Sequence, residues 1–98
     1  MARIELAAQV AGDFDRILEH LLQYEAAEAA ARIDQIIQAI NVLESNPLLG
    51  RPARNDMREL IIGRQSRGYV ALYRYVPEVD TVFMLAIRNQ REAGYKSL

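Results

Sequence analysis

The sequence predicts an α+β fold in the order β-α-α-β-β-β, with a helical hairpin packed on one face of a small antiparallel-rich sheet. Three observations predict it. Apolar residues in the first half recur at three- and four-residue steps, the period of a helix. In the second half they form short runs rich in β-branched and aromatic residues, which suit strands. Two amphipathic helices must also cover their apolar stripes, and in 98 residues only a sheet face can do so.

The elements follow in order. Residues 2–7 alternate in polarity and read as a first strand, with Ile4 and Leu6 on one face. Residues 8–24 form a helix whose stripe is Val10, Phe14, Ile17, Leu18, Leu21 and Tyr24, with Asp13, Asp15, Arg16 and Glu19 on the other side. A second helix spans 26–45, with Ala29, Ala30, Ile33, Ile36, Ile37, Ile40 and Leu43 as its stripe. Asn46-Pro47 ends it, because a residue before proline avoids the helical region. The two helices are nearly contiguous, so they form an antiparallel hairpin turning near residues 24–26. Residues 47–57 carry Gly50, Pro52, Asn55 and Asp56 and read as a loop. Strands are expected at 58–64, 68–76 and 81–88, joined by a longer turn at 63–68 and a short one at 77–80. They form an antiparallel meander, and the first strand joins one edge of it. Residues 89–98 are polar and read as a tail or a short terminal helix. The length is that of one domain, 1–98.

Composition excludes several classes. With 51% hydrophobic residues and a net charge of −1, the chain is no disordered tail. It has no cysteine, hence no disulfide framework and no thiolate metal site. The lone His20 falls at the rim of its helix and reads as a surface residue, and a histidine-based metal site needs more ligands. No phosphate-binding glycine loop occurs. No metal and no cofactor are therefore expected. Glu5 interrupts any secretory signal, and no run approaches the roughly 20 apolar residues of a membrane span. A cytoplasmic protein without membrane contact is expected.

The near-neutral total conceals a split. Residues 1–46 hold three cations against eight anions, and residues 47–98 hold nine against five. Arginine supplies 11 of the 12 cations. A basic C-terminal half can mark a working surface or ordinary solvated surface.

Period-two parity sorts the strand residues. Tyr69, Ala71, Tyr73 and Tyr75 share one face; Val70, Leu72 and Arg74 share the other. An unpaired guanidinium is costly to bury, so the Arg74 face should point away from the helices. The same reasoning puts Val82, Met84, Ala86 and Arg88 on that open face. It would then be an apolar patch edged by arginine, which suggests a partner surface or a face covered by the tail. Arg64, Arg67, Arg88 and Arg91 fall near strand ends, together with Tyr69 and Tyr95. Arginine can clamp phosphate or carboxylate, and tyrosine can stack or move a proton. The set therefore fits contact with an acidic or macromolecular partner, a metal-free RNA cleavage site, or plain surface.

In these residues the chain resembles the ParE/RelE superfamily, the toxins of type II toxin–antitoxin modules. The resemblance runs from the first strand to about Tyr95. It rests on Leu43-Glu44-Ser45-Asn46-Pro47, on Leu49-Gly50-Arg51-Pro52, on Gly68-Tyr69-Val70-Ala71-Leu72-Tyr73-Arg74-Tyr75 and on the hydrophobic strand 82–87. The Asn-Pro-x-x-Gly-Arg-Pro stretch is more typical of the ParE side. The resemblance implies a RelE/ParE-like fold, a cytoplasmic toxin and a hetero-oligomer with a cognate antitoxin whose C-terminal segment wraps it. ParE-like toxins poison DNA gyrase without cleaving nucleic acid. RelE-like toxins cleave messenger RNA on the ribosome.

Single positions separate the branches in part. Val70 stands where the nuclease branch usually has arginine, and Ile61 and Gly63 stand where it tends to have lysine. Losing a cation from a phosphate site removes several kcal/mol of electrostatic stabilisation, on the order of 3. The ParE branch often has histidine before its final arginine, whereas this chain reads Arg88-Asn89-Gln90-Arg91. The expected antitoxin contacts are Ile61, Val70, Leu72, Arg74, Val82, Met84 and Arg88. The expected target contacts are Arg64, Arg67, Arg88 and Arg91. Gyrase is the expected target. The alternatives are a ribosome-dependent nuclease using Arg64, Arg67, Arg91 and Tyr95, and a non-toxic binding module.

Overall fold

The structure, a computed structural model, describes residues 1–64 and 68–96. The order is β1 (Arg3–Leu6), α1 (Ala8–Tyr24), a 3-10 turn (Ala26–Glu28), α2 (Ala29–Val42), β2 (Arg51–Pro52), β3 (Arg58–Ile62), β4 (Tyr69–Val76) and β5 (Thr81–Asn89). The sheet runs β1-β5-β4-β3-β2. β1 lies parallel to β5, and the other pairs are antiparallel. The expected α+β layering is present, with two differences. A two-residue edge strand, β2, lies within the stretch expected to be loop. Residues 26–28 form a tight 3-10 turn, so the second helix starts three residues later than its alanines suggest, and it ends at Val42, three residues short of the expected 45.

Both helices bury a narrow stripe on one face of the sheet. From α1 these are Val10, Ile17 and Leu21; from α2, Ala29, Ile36 and Ile40, followed by Leu43. They meet Tyr69, Ala71, Tyr73, Val82, Met84 and Ile87 in one core. Each large apolar side chain so buried contributes about 1.5–3 kcal/mol. The stripes are narrower than expected: Leu18, Tyr24, Ala30 and Ile37 lie at the exposed surface.

Asp13 corrects the sequence reading. Its charge places it on the outer side of α1, yet it is only 2% exposed. Its spacing from Val10 and Ile17 places it at the edge of the buried stripe. One carboxylate oxygen accepts the backbone N–H of Ile87 at 2.9 Å, and the other accepts from Arg16 at 2.8 Å. Arg16 also donates to Glu92 at 3.1 Å and to the Ile87 carbonyl at 3.3 Å.

The Ile87 N–H adjoins an irregularity in β5. Tyr73 pairs with Met84 and Leu72 with Ala86, so Leu85 has no partner on β4. This bulge breaks the two-residue period. Met84 and Ile87 thereby face the helices together, although their spacing is odd. The placement of Val82 and Met84 on the open face is corrected: both are fully buried in the helix-side core. Uninterrupted period-two alternation does not reveal one inserted residue.

The Asn46–Pro52 stretch is held by two side chains that pair across β3 and β4, Arg58 and Tyr73. The Tyr73 hydroxyl accepts the Gly50 N–H at 2.8 Å and donates to the Pro47 carbonyl at 2.8 Å. Arg58 donates to the Leu48 carbonyl at 3.1 Å and the Gly50 carbonyl at 2.7 Å. A Cβ at Gly50 would stand 2.7 Å from the Tyr73 ring and 2.9 Å from the Glu59 carbonyl oxygen, so only glycine admits this approach. Tyr73→Phe should lower unfolding stability by about 2 kcal/mol, because it strands a buried donor and an acceptor. Gly50→Ala should do so at least as strongly through overpacking. Urea unfolding checks both, and a Tyr73→Phe variant within about 0.5 kcal/mol of the parent would contradict this role.

Candidate functional site: the open sheet face and its C-terminal strap

The face of the sheet away from the helices is built in rows by the strand register. One row holds Ile61, Val70 and Arg88; the next holds Arg51, Glu59, Leu72 and Ala86; a third holds Arg74 and Phe83. Ile61 is 44% exposed and Phe83 is also exposed, but Val70 and Leu72 are buried at 2% and 4%. The chain beyond β5 covers them. Arg88 donates to the carbonyls of Asn89 at 3.2 Å, Gln90 at 3.4 Å and Glu92 at 3.1 Å, which folds the following residues back. The Tyr95 ring then lies 5.1 Å from the Arg88 guanidinium, and its hydroxyl donates to Glu59 at 2.6 Å. Arg88 is on β5 and Glu59 on β3, so this bridge crosses Val70 and Leu72 on β4.

The electrostatics follow from that bridge. Burial alone would raise the Glu59 carboxyl. The hydrogen bonds from Tyr95 and Arg51 and the charges of Arg51 and Arg88 outweigh it and hold the group below its ordinary value of 4.5. Arg51 reaches Glu59 through Nε at 3.2 Å and a terminal nitrogen at 2.9 Å. The Tyr95 phenol is pushed well up by burial, then by its bond to Glu59 and that charge, against a smaller opposing effect of Arg88. The loop arginine Arg51 is thus linked through Glu59 to Tyr95, and Tyr95 in turn contacts Arg88.

The site residues expected from the sequence fall in different places. Ile61, Val70, Leu72, Arg74 and Arg88 are on the open face, whereas Val82 and Met84 are not. Arg74 is half-buried and donates to the Asn55 carbonyl at 2.9 Å. Arg64 is exposed beyond the end of β3. Arg67 lies outside the described residues. Arg91 lines a cleft on the helix side with Tyr69 and Asn89, so it and Tyr95 are not brought to one point. Sequence reasoning missed Glu59. Its parity with Ile61 places it on the open face and could have revealed it. Among the described residues, no group of three or more His, Cys, Asp or Glu side chains is placed to hold a metal ion.

Comparison with known proteins identifies the class. The chain is 32% identical over 92 residues to Toxin RelE3 of Caulobacter vibrioides, covering 94% of this chain and 98% of that protein. A solved structure titled as a chromosomal ParDE TA system from P. aeruginosa superimposes with a TM-score of 0.77. It is 22% identical and covers 91% of this chain and 96% of that one, a likeness of fold. The chain is a toxin of the type II toxin–antitoxin class. The family model for the ParE toxin of the type II toxin–antitoxin system parDE matches residues 4–94, and the chain belongs to that family.

A pH dependence follows. Glu59 has a lowered folded value, so its contribution to stability is present above about pH 4.5 and is lost as pH falls through the folded value. Tyr95 has a raised value, so its contribution is present below about pH 10 and is lost as pH rises. Tyr95→Phe should reduce both the alkaline loss and the acid one. Denaturant midpoints between pH 3 and 11 check this, and identical profiles for parent and variant would contradict the bridge.

Proposed function

We propose that this ParE-family toxin acts by binding rather than by cleaving nucleic acid, with DNA gyrase as its target and a cognate antitoxin as its neutralising partner. One observation carries the reading. The open sheet face presents apolar side chains where a nuclease would need free cations. Ile61 and Phe83 are exposed on it, Val70 lies beneath the chain beyond β5, and its cations are engaged: Arg88 by three backbone carbonyls and the Tyr95 ring, Arg51 by Glu59 and Arg74 by the Asn55 carbonyl. Tyr95 is a poor proton acceptor at neutral pH, because its hydroxyl donates to Glu59 and its pKa is raised. The match to the parDE toxin model supports the same branch.

The antitoxin docks on the open face. Ile61, Phe83 and Arg74 offer immediate contact, and Val70, Leu72 and Arg88 become available where Tyr95 lifts. The basic residues Arg64, Arg67 and Arg91 serve the target. The complex forms in the cytoplasm; among the described residues no helix is long and apolar enough to cross a membrane.

Expression without antitoxin should give gyrase-dependent DNA breaks in cells, read by pulsed-field electrophoresis. Growth arrest with intact DNA and codon-positioned cuts in translated messages would overturn the proposal. Ile61→Asp should weaken antitoxin binding at least about tenfold, since a carboxylate placed in an apolar contact costs more than about 1.4 kcal/mol. Calorimetric titration measures this, and unchanged affinity would remove the open face from the interface.

A further inference from the structure

The two edges of the sheet are β1 and β2. An edge strand offers unpaired N–H and C=O groups to another chain, and proteins commonly blunt it. β2 is only two residues long, and one of them is Pro52, which has no N–H. β5 is bare on one side beyond Met84, where β1 stops. Side chains take the place of a strand there. Asp13 accepts the Ile87 N–H, Arg16 donates to the Ile87 carbonyl, and Glu92 accepts the Asn89 N–H. Among the described residues, nothing covers β1 in this way.

The register shows which β1 groups are free. Arg3 and Ala7 donate their N–H groups inward, to the Asp80 and Met84 carbonyls. Odd-numbered residues therefore turn their backbone groups toward β5, and Ile4 and Leu6 turn theirs outward. Ile4 and Leu6 pair with Val82 and Met84, so their side chains lie on the helix face, where Leu6 is 58% exposed. Arg3 and Glu5 lie on the open face, both exposed and ion-paired to each other. That pair leaves the edge without net charge, so an approaching strand meets no repulsion.

The order Arg3-Ile4-Glu5 is its own complement when the strand runs backwards. In an antiparallel pair of β1 strands centred on Ile4, each Arg3 stands opposite the partner's Glu5. The two Ile4 residues then exchange N–H···O=C bonds, and each Leu6 stands opposite the partner's Ala2. The ion pairs within each strand persist, and the four charges alternate in sign both along and across the strands. Centring the pair on Glu5 or on Arg3 would oppose like charges, so the charges fix the register.

We propose that β1 is a dimerisation edge, to which a second copy of this chain adds antiparallel about a twofold axis at Ile4. The two sheets become one continuous sheet. Such an isologous contact closes on itself, so assembly stops at the dimer. Exposed charges supply register more than affinity. The edge hydrogen bonds and the apolar row of Ile4 and Leu6 supply the attraction. The contact leaves the open face accessible and does not rest on the gyrase or antitoxin reading.

The test is sedimentation equilibrium of the full chain up to about 1 mM, which should show a reversible dimer with a Kd of about 100 µM or tighter. Hydrogen exchange at the Ile4 and Leu6 amides should slow as concentration rises. Arg3→Glu and Glu5→Arg should each weaken the dimer at least about tenfold, because like charges then face each other. An equimolar mixture of the two variants should dimerise as the parent does, since every opposed pair is again of opposite sign. That recovery also shows that both variants are folded. A monomer up to about 1 mM, single variants that dimerise like the parent, or a mixture that stays monomeric would overturn the proposal. A dimer without slowed exchange at Ile4 and Leu6 would overturn it too, by placing the contact elsewhere. So would a monomer in which those amides are protected only when antitoxin is bound, which would give the edge to the antitoxin.

Discussion

The carboxylate of Asp13 reaches across from α1 to the backbone N–H of Ile87, beside the residue that β5 carries in excess of its neighbour β4. β1 pairs with β5 only as far as Met84, so Ile87 has no strand partner on that side, and a buried free N–H costs about 1–3 kcal/mol. Asp13 supplies the missing acceptor and is itself neutralised by Arg16. A lone buried charge would be far more costly, so the pair forms as a unit. Most of the architecture depends on it. Below the bulge Val82 and Met84 point at the helices, and beyond it Ile87 does so as well. Without the inserted residue, one half of β5 would turn its apolar side chains to the open face.

The same network sets up the open face. Arg16 extends from Asp13 to Glu92, and Glu92 accepts the Asn89 N–H at 2.9 Å. The chain leaving β5 is thereby turned, and Arg88 gathers its carbonyls on the opposite side. Tyr95 arrives over Val70 and Leu72 as a consequence. A half-buried ion pair on the helix side and an aromatic strap on the open side are thus two ends of one constraint. The strap joins the toxin's apolar face to the Asn-Pro-x-x-Gly-Arg-Pro loop through Glu59 and Arg51. That loop motif has a structural explanation: Gly50 must pass close to Tyr73, Pro47 and Gly50 bond its hydroxyl, and Arg51 holds Glu59.

Much of this was legible in the sequence. The change of period from 3.6 to 2, the stop at Asn46-Pro47 and the β-branched runs were enough for element order and layering. The strand parity of β4 correctly set Tyr69, Ala71 and Tyr73 against Val70, Leu72 and Arg74. What was not legible depended on contacts distant in sequence. The bulge at Leu85 exists only against the register of β4, and nothing within 81–88 announces it. Asp13 had the spacing of a core residue and the chemistry of a surface one, and its partner could not be read locally. Tyr95 and Glu59 lie 36 residues apart, so the burial of Val70 and Leu72 was visible only as the option of a tail folding over an apolar face.

The claim that Asp13 and the bulge organise both faces can be tested most directly at the Ile87 amide. Native-state hydrogen exchange should find that proton protected as strongly as the amides of Tyr73 and Ala71, exchanging only on global unfolding. In an Asp13→Ala variant its protection should fall toward that of a locally opening strand end, and the amides from Asn89 onward should follow. Rapid exchange of Ile87 in the parent protein, or undiminished protection in the variant, would contradict the account.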